Sequence, residues 1–422
     1  MLLPPSLQEW VEQDDLVHFV IDSLETMNLS TALVNERGSG DREYPPAMML
    51  AVLIYCYANG IFSSRKIERA TYQHVSVRYL TANHHPDHDT IAEFRRKNAA
   101  LIKEVFVELL RLSQEVGVLK LGHIAIDGTK IKAATAKKST RTYQQVQEEL
   151  ARVEKTVESL LEEAQRADQQ EEHAPLPKEL VDAQRRRDKL RAAKATLEEQ
   201  TRQAHEQREQ ERKAFDGRGN KPKALPAEPQ PQTRVNVTDP ESTLTPTAQE
   251  GFVQGFNAQL AVTTEEGLIV AVEVVRETND IRQLQPMVKQ CVDNGCEPQR
   301  VLVDTGYENI RQIQEVAREF GVKTLCPPAQ IANAKDEQPE DRPQRRLSKR
   351  FRRRMRAKLQ TKRGKQLYRL RGVTVEPVIG IIKSALGFRQ FLLRGLAKVK
   401  TEWTLLALAF NCKRLAGKVA LI

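Results

Sequence analysis

Between Phe256 and Pro327 the apolar residues fall into short runs separated by segments of helical spacing, and this alternation constrains the fold more than any other feature of the chain. FNAQLAVTT (256–264) and LIVAVEVV (268–275) read as two strands around a turn at Glu265-Glu266-Gly267. A helix is expected from about Asp280 to Val292, with Leu284, Met287, Val288 and Cys291 on one face. RVLVDTGY (300–307) reads as a short buried strand ending in Asp304, followed by a helix from about Glu308 to Phe320 and the strand VKTLCP (322–327). Strands, helix, strand, helix, strand is the order of an α/β domain with a mixed sheet. Upstream, in LKLGHIAIDGTKIKA, Ile124 and Ile126 mark another strand. Asp127-Gly128 follows as a tight turn, and Ile131 lies in a second strand or extension.

The remaining segments have other periodicities. Residues 1–118 read as a helical N-terminal domain. Pro45 and Pro46 suit a first helical turn, before Leu50, Leu53, Ile54 and Tyr57 at helical spacing. Ser63 and Ser64 can cap a second helix. Thr90 with Glu93 has capping-box spacing, and Arg95, Arg96 and Lys97 are expected near the start of that helix. Short helices with basic residues so placed suit a helix-turn-helix-like DNA module, or equally an ordinary bundle with solvated charges. Residues 119–140 form the first part of the α/β core. In 141–213, Tyr143, Val146, Leu150, Val153, Val157, Leu160, Ala164 and Ala167 make an a/d heptad seam, which Pro175 and Pro177 break. Ala183, Leu190 and Leu197, seven apart, follow. This is expected to be an inserted antiparallel coiled-coil hairpin, serving dimerisation or, preferably, as an intramolecular arm. Residues 214–422 carry the rest of the core. They begin with a Pro/Gln/Thr-rich linker to 250 and include a polar, basic stretch at 329–366. Glu376 then lies near the start of a last helical region with Pro377 in its first turn, and 401–415 is an amphipathic helix.

Charge narrows the partner. The 422 residues carry a net charge of +10, yet 15 Lys/Arg and no acid occupy Arg342 to Arg371, so the rest of the chain is slightly acidic. A localised basic block points to a polyanion, although a solvated charged loop has the same composition. The 5 cysteines are scattered without a C-x-x-C pair, which argues against structural zinc and fits a reducing compartment. No basic-then-apolar leader opens the chain, and no stretch approaches the roughly 20 apolar residues of a membrane span. A cytoplasmic protein, nucleoid-associated when bound to DNA, is expected.

Asp127 and Asp304 each close a hydrophobic strand, where α/β sites commonly lie. Singly, either suits a turn or a helix cap. With a glutamate on a later helix they suit divalent-metal chemistry on phosphodiesters. Magnesium takes oxygen ligands, and two such ions can activate the attacking oxygen and stabilise the leaving one. Three carboxylates repel one another until a metal arrives.

These stretches resemble the transposases of bacterial insertion sequences. The resemblance rests on IAIDGTKIKA around Asp127, VLVDTGYEN around Asp304 and YRLRGVTVEPVIGIIK from Tyr368 to Lys383. VNVTDP, GFNAQLAV, EVVRETND, HDTIAEFRRKN and LLRGLAKVKTEWTLLALAFNCKRL extend it over nearly the whole chain outside the heptad segment. The family's last motif is Tyr, two residues, Arg, three residues, Glu, six residues, Lys. Here four residues separate Arg371 from Glu376. The resemblance implies a ribonuclease-H-like core in which Asp127, Asp304 and Glu376 are catalytic and bind two Mg2+ (or Mn2+) ions. It implies that Lys383, two helical turns beyond Glu376, contacts DNA together with Arg371 and Tyr368, and that Arg95 and Arg96 lie in the N-terminal DNA-binding module. The partners it implies are double-stranded DNA, as terminal inverted repeats and target, and a second copy of the chain in the DNA complex. A DNA nuclease without strand transfer and a non-enzymatic DNA-binding scaffold are the alternatives. Asp239, in a Thr-Asp-Pro turn, and Asp280, in a helix-cap context, read as structural.

Overall fold

The computed structural model of the chain describes residues 6–33, 44–168, 178–215, 221–247, 251–329 and 343–419. Six helices come first, α1 (Leu16–Glu25), α2 (Pro46–Ala58), α3 (Ser64–Gln73), α4 (Val75–Leu80), α5 (His88–Lys97) and α6 (Ala99–Glu115). Strand β1 (His123–Lys132) follows. The short strand β2 (Thr140–Thr142) leads into α7 (Tyr143–Asp168) and α8 (Lys178–Lys213), then β3 (Arg234–Asn236) and β4 (Thr243–Thr247). The chain continues through β5 (Gly251–Thr263), β6 (Ile269–Val275), α9 (Leu284–Asp293), β7 (Arg300–Leu302), α10 (Ile310–Glu319) and β8 (Lys323–Leu325). It ends with α11 (Pro343–Gln360), α12 (Lys362–Gly380) and α13 (Leu396–Val419).

Two compact units result. The first comprises Met1–Ile131, Asn257–Ala334 and Lys349–Ile422, and the second Lys132–Phe256 and Lys335–Ser348. These limits differ from the expected boundaries at 118, 140 and 213, because the N-terminal helices share one core with the sheet. The cause is α13, which packs against α2, α6 and β6. Trp403, Leu405, Leu406, Ala407, Leu408 and Ala409 are all buried, so the helix is apolar around its circumference rather than amphipathic as expected. A helix of that kind must be covered on several sides. Trp403 anchors it. The indole donates to the main-chain oxygen of Gln259 at 3.0 Å and packs against Phe388 and Phe391.

The first unit's strands are ordered β6-β5-β1-β7-β8. β5 and β6 pair antiparallel, whereas β1 with β7 and β7 with β8 pair parallel. This mixed sheet among helices fits a ribonuclease-H-like domain. The strands at the parallel end are shorter than expected, and α9 begins at Leu284 rather than Asp280. Residues 330–342 of the basic stretch lie outside the described residues; from Pro343 it is helical, not merely polar, because Gln344 to Arg363 lacks Gly and Pro and is rich in Arg and Lys, which are good helix formers.

In the second unit α7 packs on α8. Val146, Leu150, Leu190, Ala193 and Leu197 form a buried cluster with Val235 and Val237, so the seam is closed at this end by β3 and the residue following it. Tyr143 donates to Glu198 at 2.6 Å and Arg191 pairs with Glu154 at 2.6 Å across the two helices. The expected turn at Pro175 and Pro177 lies outside the described residues. The first half of β5 pairs antiparallel with β4, Thr243 opposite Gly255.

Trp403→Ala is expected to destabilise the protein by about 3–5 kcal/mol, the cost of removing a buried indole and leaving a cavity. Urea denaturation followed by far-UV circular dichroism measures it, and a loss below about 1 kcal/mol contradicts the anchoring role.

Candidate active site

Ala125 of β1 stands opposite Leu302 of β7 in parallel register. Two residues further along each chain come Asp127 and Asp304, so adjacent strands, about 4.8 Å apart, deliver both acids to the same end of the sheet. Asp127 does not close its strand. β1 runs on to Lys132, and the expected turn at Asp127-Gly128 is absent. Gly128 has a different reason to be glycine: a methyl group there would come within 3.0 Å of the side chains of Gln259, Asp280 and Asn257. Asp304 lies beyond the end of β7, where its Oδ1 accepts from the Gly306 amide at 2.9 Å and caps a short 3-10 helix, Thr305–Tyr307. The Cys326 thiol donates to its carbonyl at 3.2 Å.

Glu376 arrives from α12. It sits in the last two turns of that helix, with Pro377 inside it, rather than at the start of a helix as expected. Arg371, on the same helix, joins it to the strands. Its Nη2 lies 2.7 Å from Asp127 Oδ2 and its Nη1 3.0 Å from Glu376 Oε1. Side-chain exposure is 12% for Arg371 and 16% for Asp127 against 57% for Glu376, so the guanidinium is sunk between a sheltered acid and a solvated one. Burial pushes the Asp127 carboxyl up to about 6; Arg371 opposes this, and the nearby charges of Asp304 and Asp280 add to it. Burial also pushes the Tyr368 phenol up, with Arg371 opposing and the Asp304 charge reinforcing.

Lys383 does not continue the α-helical phase of Glu376. α12 ends at Gly380 and Ile381–Ala385 forms a π turn, a rare geometry that recurs at functional sites. Its ammonium is pushed down by burial and by the Arg389 and Lys130 charges. Lys130 is in turn depressed by burial and held charged by Asp280, Asp127 and Asp304. Its buried Nζ has no hydrogen-bond partner among the described residues.

The N-terminal candidates separate. Arg95 and Arg96 lie in the last turn of α5, because Asp87, not Thr90, caps that helix. Arg95 is 3% exposed and donates to the Tyr57 hydroxyl at 2.6 Å and the Phe62 carbonyl at 3.2 Å. It therefore serves the core, which corrects its assignment to DNA. Arg96 is exposed and lies 3.3 Å from Glu93. In α11, Arg352 is paired with the buried Glu308 at 2.6 Å. Asp239 is buried in the second unit. Asp280 is not a helix cap, since Gln283 precedes α9 in that role. Asn257, Gln259 and Lys130 drew no attention in the sequence. Two amides at alternate positions of an otherwise apolar strand, FNAQLAV, were the available signal.

Among the described residues no group of three or more acidic, histidine or cysteine side chains is gathered to hold a metal ion as it stands. The reason is visible: a guanidinium fills the gap between Asp127 and Glu376. The donor set itself, carboxylate oxygens without sulfur or imidazole, suits Mg2+ or Mn2+. A cation already seated on two of these carboxylates supports the fit. Asp127, Asp304 and Glu376 could hold such an ion once Arg371 withdraws.

Two outcomes follow. Arg371→Gln removes the competing cation, so Mn2+ affinity measured by calorimetric titration is expected to rise roughly tenfold, equivalent to ~1.4 kcal/mol; a fall contradicts the competition. Asp127 gives up its proton near pH 6, so Mn2+ affinity is also expected to strengthen from about pH 5 to about pH 7, and a flat profile counts against Asp127 as a ligand. In the metal-free protein the sign reverses. Folded Asp127 retains a proton that the unfolded chain releases near 3.8, so its contribution to stability is present at low pH and is lost as pH rises through about 6.

The transposase DDE domain family matches residues 231–412, which include Asp304, Arg371, Glu376 and Lys383. A second family, described as a transposase domain (DUF772), matches residues 5–97. Asp127 falls outside both stretches, and the β1–β7 register brings it to Asp304. No curated protein and no solved structure matches the chain. With transposase domains over both its N-terminal helices and the greater part of its α/β core, the chain belongs to the DDE transposases of insertion sequences.

Proposed function

We propose that this transposase binds the terminal inverted repeats of its element, hydrolyses a phosphodiester to free a 3′ hydroxyl, and uses that hydroxyl to attack target DNA. The observation that supports the reading is the pairing of one half-buried arginine, Arg371, with both Asp127 and Glu376, while the Asp304 charge acts on Asp127 and on Arg371. Divalent ions, two in number and Mg2+ by preference, would supply activation of the attacking oxygen and stabilisation of the leaving one. Asp127 would hold the sheltered side of the centre, Asp304 would stand beside it on the next strand, and Glu376 would take the solvent side. Arg371, released from Asp127, turns to a DNA phosphate, where its planar fork can bind two oxygens. Tyr368 and Lys383 contact the backbone beside the cut. A phosphate beside Lys383 would offset the burial that pushes its ammonium down.

The basic helices α11 and α12 add sequence-independent phosphate contacts, so DNA binding is salt-sensitive. The N-terminal helices, with Arg96 exposed, recognise the element end as a DNA-binding module. The hairpin of α7 and α8 is a coiled-coil arm inserted into the catalytic core, and two copies of the chain act on paired ends. No helix among the described residues is long and apolar enough to cross a membrane, consistent with work on DNA in the cytoplasm.

A labelled element end incubated with the protein, Mg2+ and a target plasmid tests the proposal. A joined product of end and target is expected. Asp127→Asn, Asp304→Asn and Glu376→Gln should each lower its yield by more than the ~10–100-fold typical of outer-shell groups. Cleavage without any joined product would reduce the activity to that of a nuclease.

A further inference from the structure

Asp280, between β6 and α9, is an acid that the three-carboxylate centre leaves without a task. Its Oδ1 accepts from Asn257 Nδ2 at 2.7 Å and from Gln259 Nε2 at 2.6 Å. Both amides are buried on the same face of β5. Gln259 is itself fixed, because its Oε1 accepts from the Tyr307 hydroxyl and its main-chain oxygen accepts from the Trp403 indole. One carboxylate oxygen is thus held rigidly from the core. The other, Oδ2, accepts no hydrogen bond among the described residues.

Two glycines show where that oxygen lies. Gly128, directly after Asp127, has no room for a methyl group because Asp280 Oδ1 packs against it. A methyl group at Gly306 would lie 3.7 Å from Asp280 Oδ2 and 3.1 Å from Asp304 Oδ1. Asp280 therefore stands between the residues that follow both catalytic aspartates. Its charge acts on Asp127 and Lys130. A neutral asparagine oxygen would satisfy the same two amide donors. What the carboxylate adds is negative charge, placed beside two other acids that repel it. Such a placement is useful where a divalent cation binds.

We infer that Asp280 is a fourth carboxylate of the active centre, with its free Oδ2 directed to the divalent ion that Asp127 and Asp304 bind. This rests on the transposase reading of the centre.

The test is Mn2+ binding by the DNA-free protein, followed through the paramagnetic resonance signal of the free ion. Asp280→Asn is expected to weaken binding about tenfold or more without lowering the thermal midpoint of the metal-free protein. A lower midpoint with unchanged Mn2+ affinity would mean a structural role only and overturns the inference. Asp127→Asn and Asp304→Asn run alongside. If those two lose Mn2+ while Asp280→Asn does not, the inference falls and the transposase reading stands. If all three bind Mn2+ like the parent protein, the reading of the centre itself falls. A second measurement needs no variant. Fe2+ with ascorbate and peroxide cuts a backbone beside the bound ion, and scission is expected near residues 127, 280 and 304; cuts near the first and last without the middle one overturn the inference.

Discussion

Parallel pairing of β1 with β7 is the constraint on which the site depends. Neither strand is unusual in composition, and β7 has only three residues. Yet Ala125 opposite Leu302 puts Asp127 and Asp304, from segments separated by Lys132–Phe256 of the second unit, on neighbouring strands. Shifting a strand by one residue would turn every side chain to the other face of the sheet. Register is enforced by packing: Ile124, Ala125, Val301 and Leu302 are almost wholly inaccessible on both faces, and a slip would put each side chain into a space shaped for its neighbour. The same burial that aligns the strands also desolvates Asp127.

Electrostatics then decides the resting state of the centre. Two like charges about 4 Å apart repel by ~4 kcal/mol at an effective dielectric near 20. Asp127, Asp280 and Asp304 lie close enough to act on one another, so the folded chain needs compensation. Arg371 supplies part of it through direct contacts, and Lys130 part through its field. Compensation by the chain's own cations leaves the acids ready for an ion of higher charge, and leaves Arg371 available once that ion is bound. In the proposed reading, one ion pair thereby links the residue that would contact DNA to one that would hold the metal.

The helices behind the sheet hold this arrangement rigid. Trp403 touches the main chain of Gln259, Gln259 holds Asp280, and Asp280 lies against Gly128. The apolar α13 thus connects the N-terminal helices to the floor of the site through contacts within one unit. Glu402, beside Trp403, is wholly buried and accepts from the Leu392 and Leu393 amides, which fixes the segment leading into that helix.

The sequence by itself determined most of the element types and the alternation of the core, because hydrophobic periodicity is a local signal, and it drew attention to Asp127 and Asp304 as acids following apolar runs. VLVDTG and IAIDG announce buried strands carrying an acid whatever surrounds them. Tertiary structure alone decided the rest. Asp127-Gly128 looks like a turn until the side chains of β5 are seen to need the glycine's space. Arg95 looks like a DNA contact until the Tyr57 hydroxyl meets it in the core. Pro377 looks like a helix start, yet it lies within α12, where packing and the interactions of neighbouring residues outweigh one missing donor. Asp280 looks like a cap because its nearest neighbours in sequence are a turn, whereas its partners are more than twenty residues away. Partnership across the fold is not written in spacing, since it depends on which distant strands pair and in what register.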